Sequence, residues 1–230
     1  MKFVILQDKS ENEGRWLRRI LIYVFGVFVL SLGVVFSVNA GLGLSPVQVV
    51  PFVFSLAGGL TLGTSMFAVL TIFTLLQIAI LRKQFKLIQL TQIVVAFLFG
   101  YMVDFSFFLV GGVQFYGYFG QLLKLAIGII LTACGVTIHM QAQLVNLPPE
   151  ALTAAITSKI PNGEFHKVRI VQDLTLVTIA AVLSFVTLDG NLYGIREGTV
   201  ISAVLVGKCI QYTNRILASS LRALRVWKNL

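Results

Sequence analysis

Six stretches of the chain, 20–40, 64–81, 88–110, 121–140, 170–188 and 198–216, run for about twenty residues almost without charge. A soluble domain buries one apolar core and cannot hide six such runs. A helix needs about 20 apolar residues to cross a hydrocarbon layer of roughly 30 Å. Each run therefore reads as a span, with lipid as the solvent for most of the chain. A mean hydropathy of +0.90, with 57% of residues hydrophobic, fits that reading. The expected fold class is an all-α integral membrane protein.

Two shorter segments interrupt the series. Between the first and second runs lies Asn39-Ala-Gly-Leu-Gly-Leu-Ser-Pro46, then an apolar segment, then Gly58-Gly-Leu-Thr-Leu-Gly63. Ser45 before Pro46 marks a helix start, with Pro at the first helical position. A helix from there to Gly59 would be about 21 Å long, too short to cross. It reads as a re-entrant half-helix; the alternative lays it flat on the membrane surface. Asn146-Leu-Pro-Pro-Glu150 opens a second short helix to about Lys159, closed by Pro161-Asn-Gly163.

The order repeats. Gly33, Asn39 and Ala40 align with Gly135, Gln141 and Ala142, and at the same offset Pro46 falls on Pro148 and Gln48 on Glu150. With a small gap, Gly100 and Asp104 fall on Gly207 and Gln211. Three spans and one half-helix per half place the second half upside down. The expected organisation is a basic cytoplasmic N-terminus (1–19), membrane repeat 1 (20–112), membrane repeat 2 (113–216) and a basic amphipathic cytoplasmic tail (217–230). In that topology all of the 18 Lys and Arg except Lys124, Arg196 and Lys208 face the cytoplasm. A half-helix that crossed would export Arg82, Lys83 and Lys86, against the positive-inside rule.

The net charge of +9 reads as this bias and not as a nucleic-acid surface; the basic ends suit anionic lipid headgroups. The first run is too long for a signal-peptide core and lacks a small-x-small cleavage site, so it is expected to be retained. Cys134 and Cys209 lie inside apolar runs and read as buried free thiols.

Gly-Leu-Gly-Leu-Ser-Pro at 41–46, Gly-Gly-x-Thr-x-Gly-Thr at 58–64 and the basic-then-acid pair Arg169 and Asp173 resemble the YitT/YczE family of bacterial membrane proteins over nearly the whole chain. The resemblance implies a multi-pass protein of the bacterial inner membrane, both termini cytoplasmic, without a settled biochemical activity. Val47-Gln48 stands where those relatives carry an aromatic and an acid.

Polar residues within spans are costly and are functional candidates by default. Candidate solute-binding residues are Asn39, Ser45, Gln48, Asp104, His139, Gln141, Asn146, Glu150 and Lys208. In the expected mechanism both short helices point their N-termini to the membrane centre, where unpaired N–H groups receive a small polar or anionic solute. Glu150 then needs a cation, and Lys208 is the nearest by apparent depth. His139, Gln143 and Asn146 share a face if their helix persists, while Gln77 and Gln92 read as interhelical hydrogen-bonding groups. No metal-ligand spacing, nucleophile elbow or phosphate-binding loop occurs, so neither an enzyme nor a cofactor is expected. A transporter or channel is the first functional reading. A non-transporting scaffold or accessory factor for a protein partner is the second.

Overall fold

The computed structural model describes the backbone of residues 13–223 and the side chains of residues 16–216. Within that range the chain is helical, without strands: α1 (Glu13–Ala40), α2 (Pro46–Gly58), α3 (Leu62–Leu81), α4 (Thr91–Val110), α5 (Gly117–Gln141), α6 (Pro148–Thr157), α7 (Phe165–Thr187) and α8 (Glu197–Ala223). Two 3-10 turns, Arg82–Gln84 and Leu87–Leu90, join α3 to α4. Helices α1, α3, α4, α5 and α7 are long and apolar enough to cross a membrane. That is five where six were expected. Helix α8 has the length, but Lys208, Gln211, Asn214 and Arg215 break its apolar character. It also continues to Ala223, through the start of the expected separate tail; the rest of that tail, like most of the basic N-terminus, lies outside the described residues.

Prolines and glycines set the short elements. Ser45 is extended before Pro46, and Gly59 closes α2 at φ 61°, a left-handed conformation that glycine adopts without steric cost. Pro51 inside α2 has no N–H to offer the Val47 carbonyl one turn earlier. Leu147 is extended before Pro148, the same start as in α2. Helix α3 is capped by Thr61, whose hydroxyl accepts from the Thr64 N–H at 3.1 Å.

The bundle is organised on an antiparallel crossing of α1 and α5. Gly26 lies against His139, Leu30 against Gly135, Gly33 against Thr132, and Ser37 against Gly128, a register without slip. A Cβ on any of these four glycines would collide with the facing helix. Small residues thus bring two backbones together, the way helices associate in a bilayer, where no hydrophobic force drives them. Helix α4 packs on the outside of α1, and α8 on the outside of α5. Helix α2 packs on α3 and α7, α6 likewise packs on α3 and α7, and α3 packs on α4. The largest apolar cluster joins α1, α3 and α4 through Val27, Val34, Met66, Phe73, Phe99 and Val103, with Leu147 and Leu152 attached. A smaller one gathers Leu44, Val49, Val53 and Ala180.

Candidate functional site

Each short helix brings a polar residue to its third position, two residues after its opening proline: Gln48 in α2 and Glu150 in α6. Both carry a buried side-chain oxygen, Gln48 Oε1 and Glu150 Oε2, without a hydrogen-bond partner. Buried polar atoms are nearly always paired, so an orphan at each of two matching positions asks for an explanation.

Around α6 the polar groups form a network. Gln77 Nε2 lies 3.2 Å from the Pro148 carbonyl and 3.0 Å from Gln92 Oε1, the interhelical role expected of that pair. From the other side, Gln172 Nε2 donates to the Pro149 carbonyl at 3.2 Å, and Thr153 Oγ1 donates to Gln172 Oε1 at 2.8 Å. Two glutamines from α3 and α7 therefore hold the first turn of α6. Glu150 Oε1 meets Arg169 at 3.5 Å, and the same guanidinium reaches Asp173 at 3.2 Å. One cation serves two carboxylates, each about three-quarters buried. Arg169, not Lys208, is thus the cation beside Glu150; Lys208 is exposed on α8.

The segment ahead of α6 is bound to α1. Arg19 donates to the Ala142 and Gln143 carbonyls at 3.0 and 3.1 Å, and Tyr23 Oη donates to the Val145 carbonyl at 3.1 Å. His139 is buried, edge-on to Tyr23, with Nδ1 3.1 Å from the Gly135 carbonyl. The proposed face of His139, Gln143 and Asn146 does not form. Helix α5 stops at Gln141, Gln143 turns to φ 48°, and Asn146 is exposed. Gln141 Nε2 donates instead to Asn214 Oδ1 of α8 at 2.7 Å.

The segment ahead of α2 is held by the α7–α8 connection. The Leu44 N–H donates to the Gly194 carbonyl at 2.9 Å, the Gly198 N–H donates to the Leu42 carbonyl at 2.7 Å, and Arg196 reaches the Gly41 carbonyl at 3.1 Å. Gly43, at φ 108°, lies against Thr199 and Arg196 where no Cβ would fit. Ser45 makes no side-chain cap bond. Asn39 Nδ2 donates to the Gly111 carbonyl at 3.2 Å, tying the end of α1 to the end of α4. Leu44 and Leu147, the residues leading directly into the two short helices, are both buried, while Gly41, Gln143 and Asn146 of the same segments are exposed.

Asp104 has another job. Its carboxylate accepts from the Gly63 N–H at 2.8 Å and from the Thr61 hydroxyl at 2.7 Å, capping α3 from the neighbouring helix. The nine candidates therefore do not converge on one point. Among the described residues, no hydrogen bond or ion pair joins Asn39, Ser45 or Gln48 to Gln141, Asn146 or Glu150, and α2 and α6 share no extensive contact. Sequence reasoning missed Arg169 and Asp173 as site residues. Their signal was an Arg/Asp pair at i, i+4 on the threshold of an apolar run.

The chain matches, over residues 17–215, the model of a family described as a family of unknown function, DUF6198. It is also 28% identical over 135 residues to the uncharacterized protein YyaS of Bacillus subtilis, a match covering 58% of this chain and 66% of that protein, just under two thirds of its length. No solved structure matches.

Proposed function

We propose that this member of the DUF6198 family is a transporter of small polar solutes built as an inverted repeat, in the multi-pass inner-membrane setting that the YitT/YczE resemblance implies. The observation that carries this reading is the pair of unpartnered buried oxygens, Gln48 Oε1 and Glu150 Oε2, at matching positions of two Pro-started half-helices. Each oxygen is free to accept an N–H or O–H from a solute.

Packing supports the repeat. The offset that lays Pro46 on Pro148 also lays Gly26 on Gly128, Leu30 on Thr132 and Ser37 on His139. The close pair Gly26–His139 is then the image of Gly128–Ser37, and Gly33–Thr132 that of Gly135–Leu30. Exchanging halves turns α1–α4 into α5–α8, α2–α7 into α6–α3, and α2–α3 into α6–α7, and all of these contacts exist. Broken helices in matching places of two inverted halves are where transporters bind solute. In this reading α2 and α6 are re-entrant, and α8 is the sixth span, its polar second half shielded by solute path or partner.

An anion is disfavoured near α6. Glu150 already occupies the positive end of that helix, and Arg169 is shared between two carboxylates. The reading is non-enzymatic and needs no cofactor. It is tested in proteoliposomes loaded with a panel of radiolabelled neutral amino acids, amines and polyols. Flux above that of empty vesicles, lowered by Gln48→Ala and by Glu150→Gln, supports it; no flux for any solute, with both variants folded like the parent, overturns it.

A scaffold for a protein partner is the second reading. It is favoured by Lys208 and Gln211, which stand exposed on α8 where α8 leaves α7. Recovery of a stoichiometric partner from native membranes, lost in Lys208→Leu, would select it.

A further inference from the structure

Lys124 lies about two turns into α5, in the outer part of the bundle on the topology proposed above, and it is only 9% exposed. Among the described residues it has no hydrogen bond or ion pair. It borders a cleft of roughly 220 Å³, formed with Asn39 at the end of α1 and the loop from Gly111 to Tyr116. That loop folds down onto α5 because Gly120 has no side chain: a Cβ there would collide with the Phe115 backbone. The bond from Asn39 to the Gly111 carbonyl fixes the opposite wall. No carboxylate lines the cleft, and among the described residues the backbone N–H groups of Gln114, Phe115 and Tyr116 make no hydrogen bond.

A snorkelling lysine covers apolar surface with its stem and keeps its ammonium in open water. Lys124 is nine-tenths covered as a residue between the end of α1 and the loop, and its ammonium, which is not sealed from solvent, has no counter-ion among the described residues, so an anion entering the cleft meets an unshared positive charge. We propose that this cleft is an oxyanion site, with Lys124 as its charged ligand and the Gln114 amide and free loop N–H groups as further donors. The anion is a phosphate or carboxylate, presented either by the headgroup of an outer-leaflet lipid or by a soluble solute. The site is separate from the Gln48 and Glu150 oxygens and stands whether or not the chain transports anything.

The test follows thermal unfolding of the purified protein in neutral detergent, titrated with inorganic phosphate, acetate or short-chain phosphatidylglycerol. One charge-assisted hydrogen bond is worth roughly tenfold in affinity or more. Lys124→Gln is therefore expected to weaken binding at least about tenfold, Lys124→Arg to retain most of it, and Lys83→Gln, a charge-matched change on an exposed loop, to leave it unaltered. A Lys124-dependent shift with phosphate or acetate identifies a soluble anion; a shift with phosphatidylglycerol alone identifies a headgroup. Shifts that Lys83→Gln reduces as much as Lys124→Gln, or no shift with any of the three, overturn the site. Should Lys124→Gln fail to fold, native mass spectrometry of the parent and of Lys124→Arg decides. Retained phosphate, acetate or phosphatidylglycerol, weakened by Gln114→Ala, supports the site, and bare protein in both refutes it.

Discussion

Helices α3 and α4 are locked together, whereas their counterparts α7 and α8 stand apart. In the first pair Gly63 and Gly100 bring the two backbones into contact, and Asp104 reaches across to cap α3. In the second pair Gly207, aligned with Gly100, faces open space, and Gln211, aligned with Asp104, is exposed. The burial of the spans follows: 39% for the α3 span against 22% for that of α7. On the proposed repeat, two halves of common design occupy different conformations within one molecule. Apolar packing is densest where α1, α3 and α4 meet and sparsest where α7 and α8 stand apart. For a transporter this is the useful arrangement, since a gap on one side that closes as its image opens gives access to each side in turn.

The comparison fails altogether if the halves are not inverted. Reporter fusions give an all-or-none answer: Lys83 is expected inside, Gly112 and Asn191 outside. An outside signal at Lys83 would make α2 a crossing helix and remove the basis for pairing α3 with α7.

Next in size is a matched pair of substitutions. Gly100→Leu should destabilise by about 3 kcal/mol or more, because the side chain must displace the Gly63 backbone. Gly207→Leu should leave the unfolding temperature within error. If α8 closes on α7 during a transport cycle, Gly207→Leu abolishes flux while remaining stable; unchanged flux would show that the gap is static.

The charged network at α6 should matter more than its uncharged counterpart at α2. Arg169→Gln leaves two partly buried carboxylates facing each other and should cost about 1–3 kcal/mol after allowance for their solvent contact. Gln48→Ala removes an unpaired oxygen and should change stability by less than about 1 kcal/mol. Equal losses in thermal unfolding would mean that Gln48 has a partner in the membrane. The smallest contrast is Asp104→Ala, expected to lower stability by about 1–2 kcal/mol through loss of the α3 cap, against Gln211→Ala, within about 0.5 kcal/mol. A comparable loss at Gln211 would place it in contact with α7.

Local signals in the sequence carried well. Five of the six apolar runs became helices both long and apolar enough to span, and both short helices begin at the prolines that announced them. These features depend on composition and on residues within one turn. The sixth run was read from length and apolar residues, with too little weight given to Lys208, Gln211 and Asn214, which lower the hydropathy of α8. The stripe from His139 to Asn146 assumed that the helix continued, but Arg19 and Tyr23 draw the chain away at 142–145. The partner of Glu150 was sought by depth along a single helix, whereas Arg169 arrives laterally from α7. Lateral neighbours belong to packing, and periodicity carries no record of them.

The crossing of α1 with α5 also has a consequence in time. Its partners are about a hundred residues apart in the chain, so at roughly 5–20 residues per second α1 waits on the order of 5–20 s after synthesis before α5 exists. Throughout that interval the groove of Gly26, Gly33 and Ser37 lacks the helix that closes it. The first half can insert and pair α3 with α4, but it cannot seal its own central face.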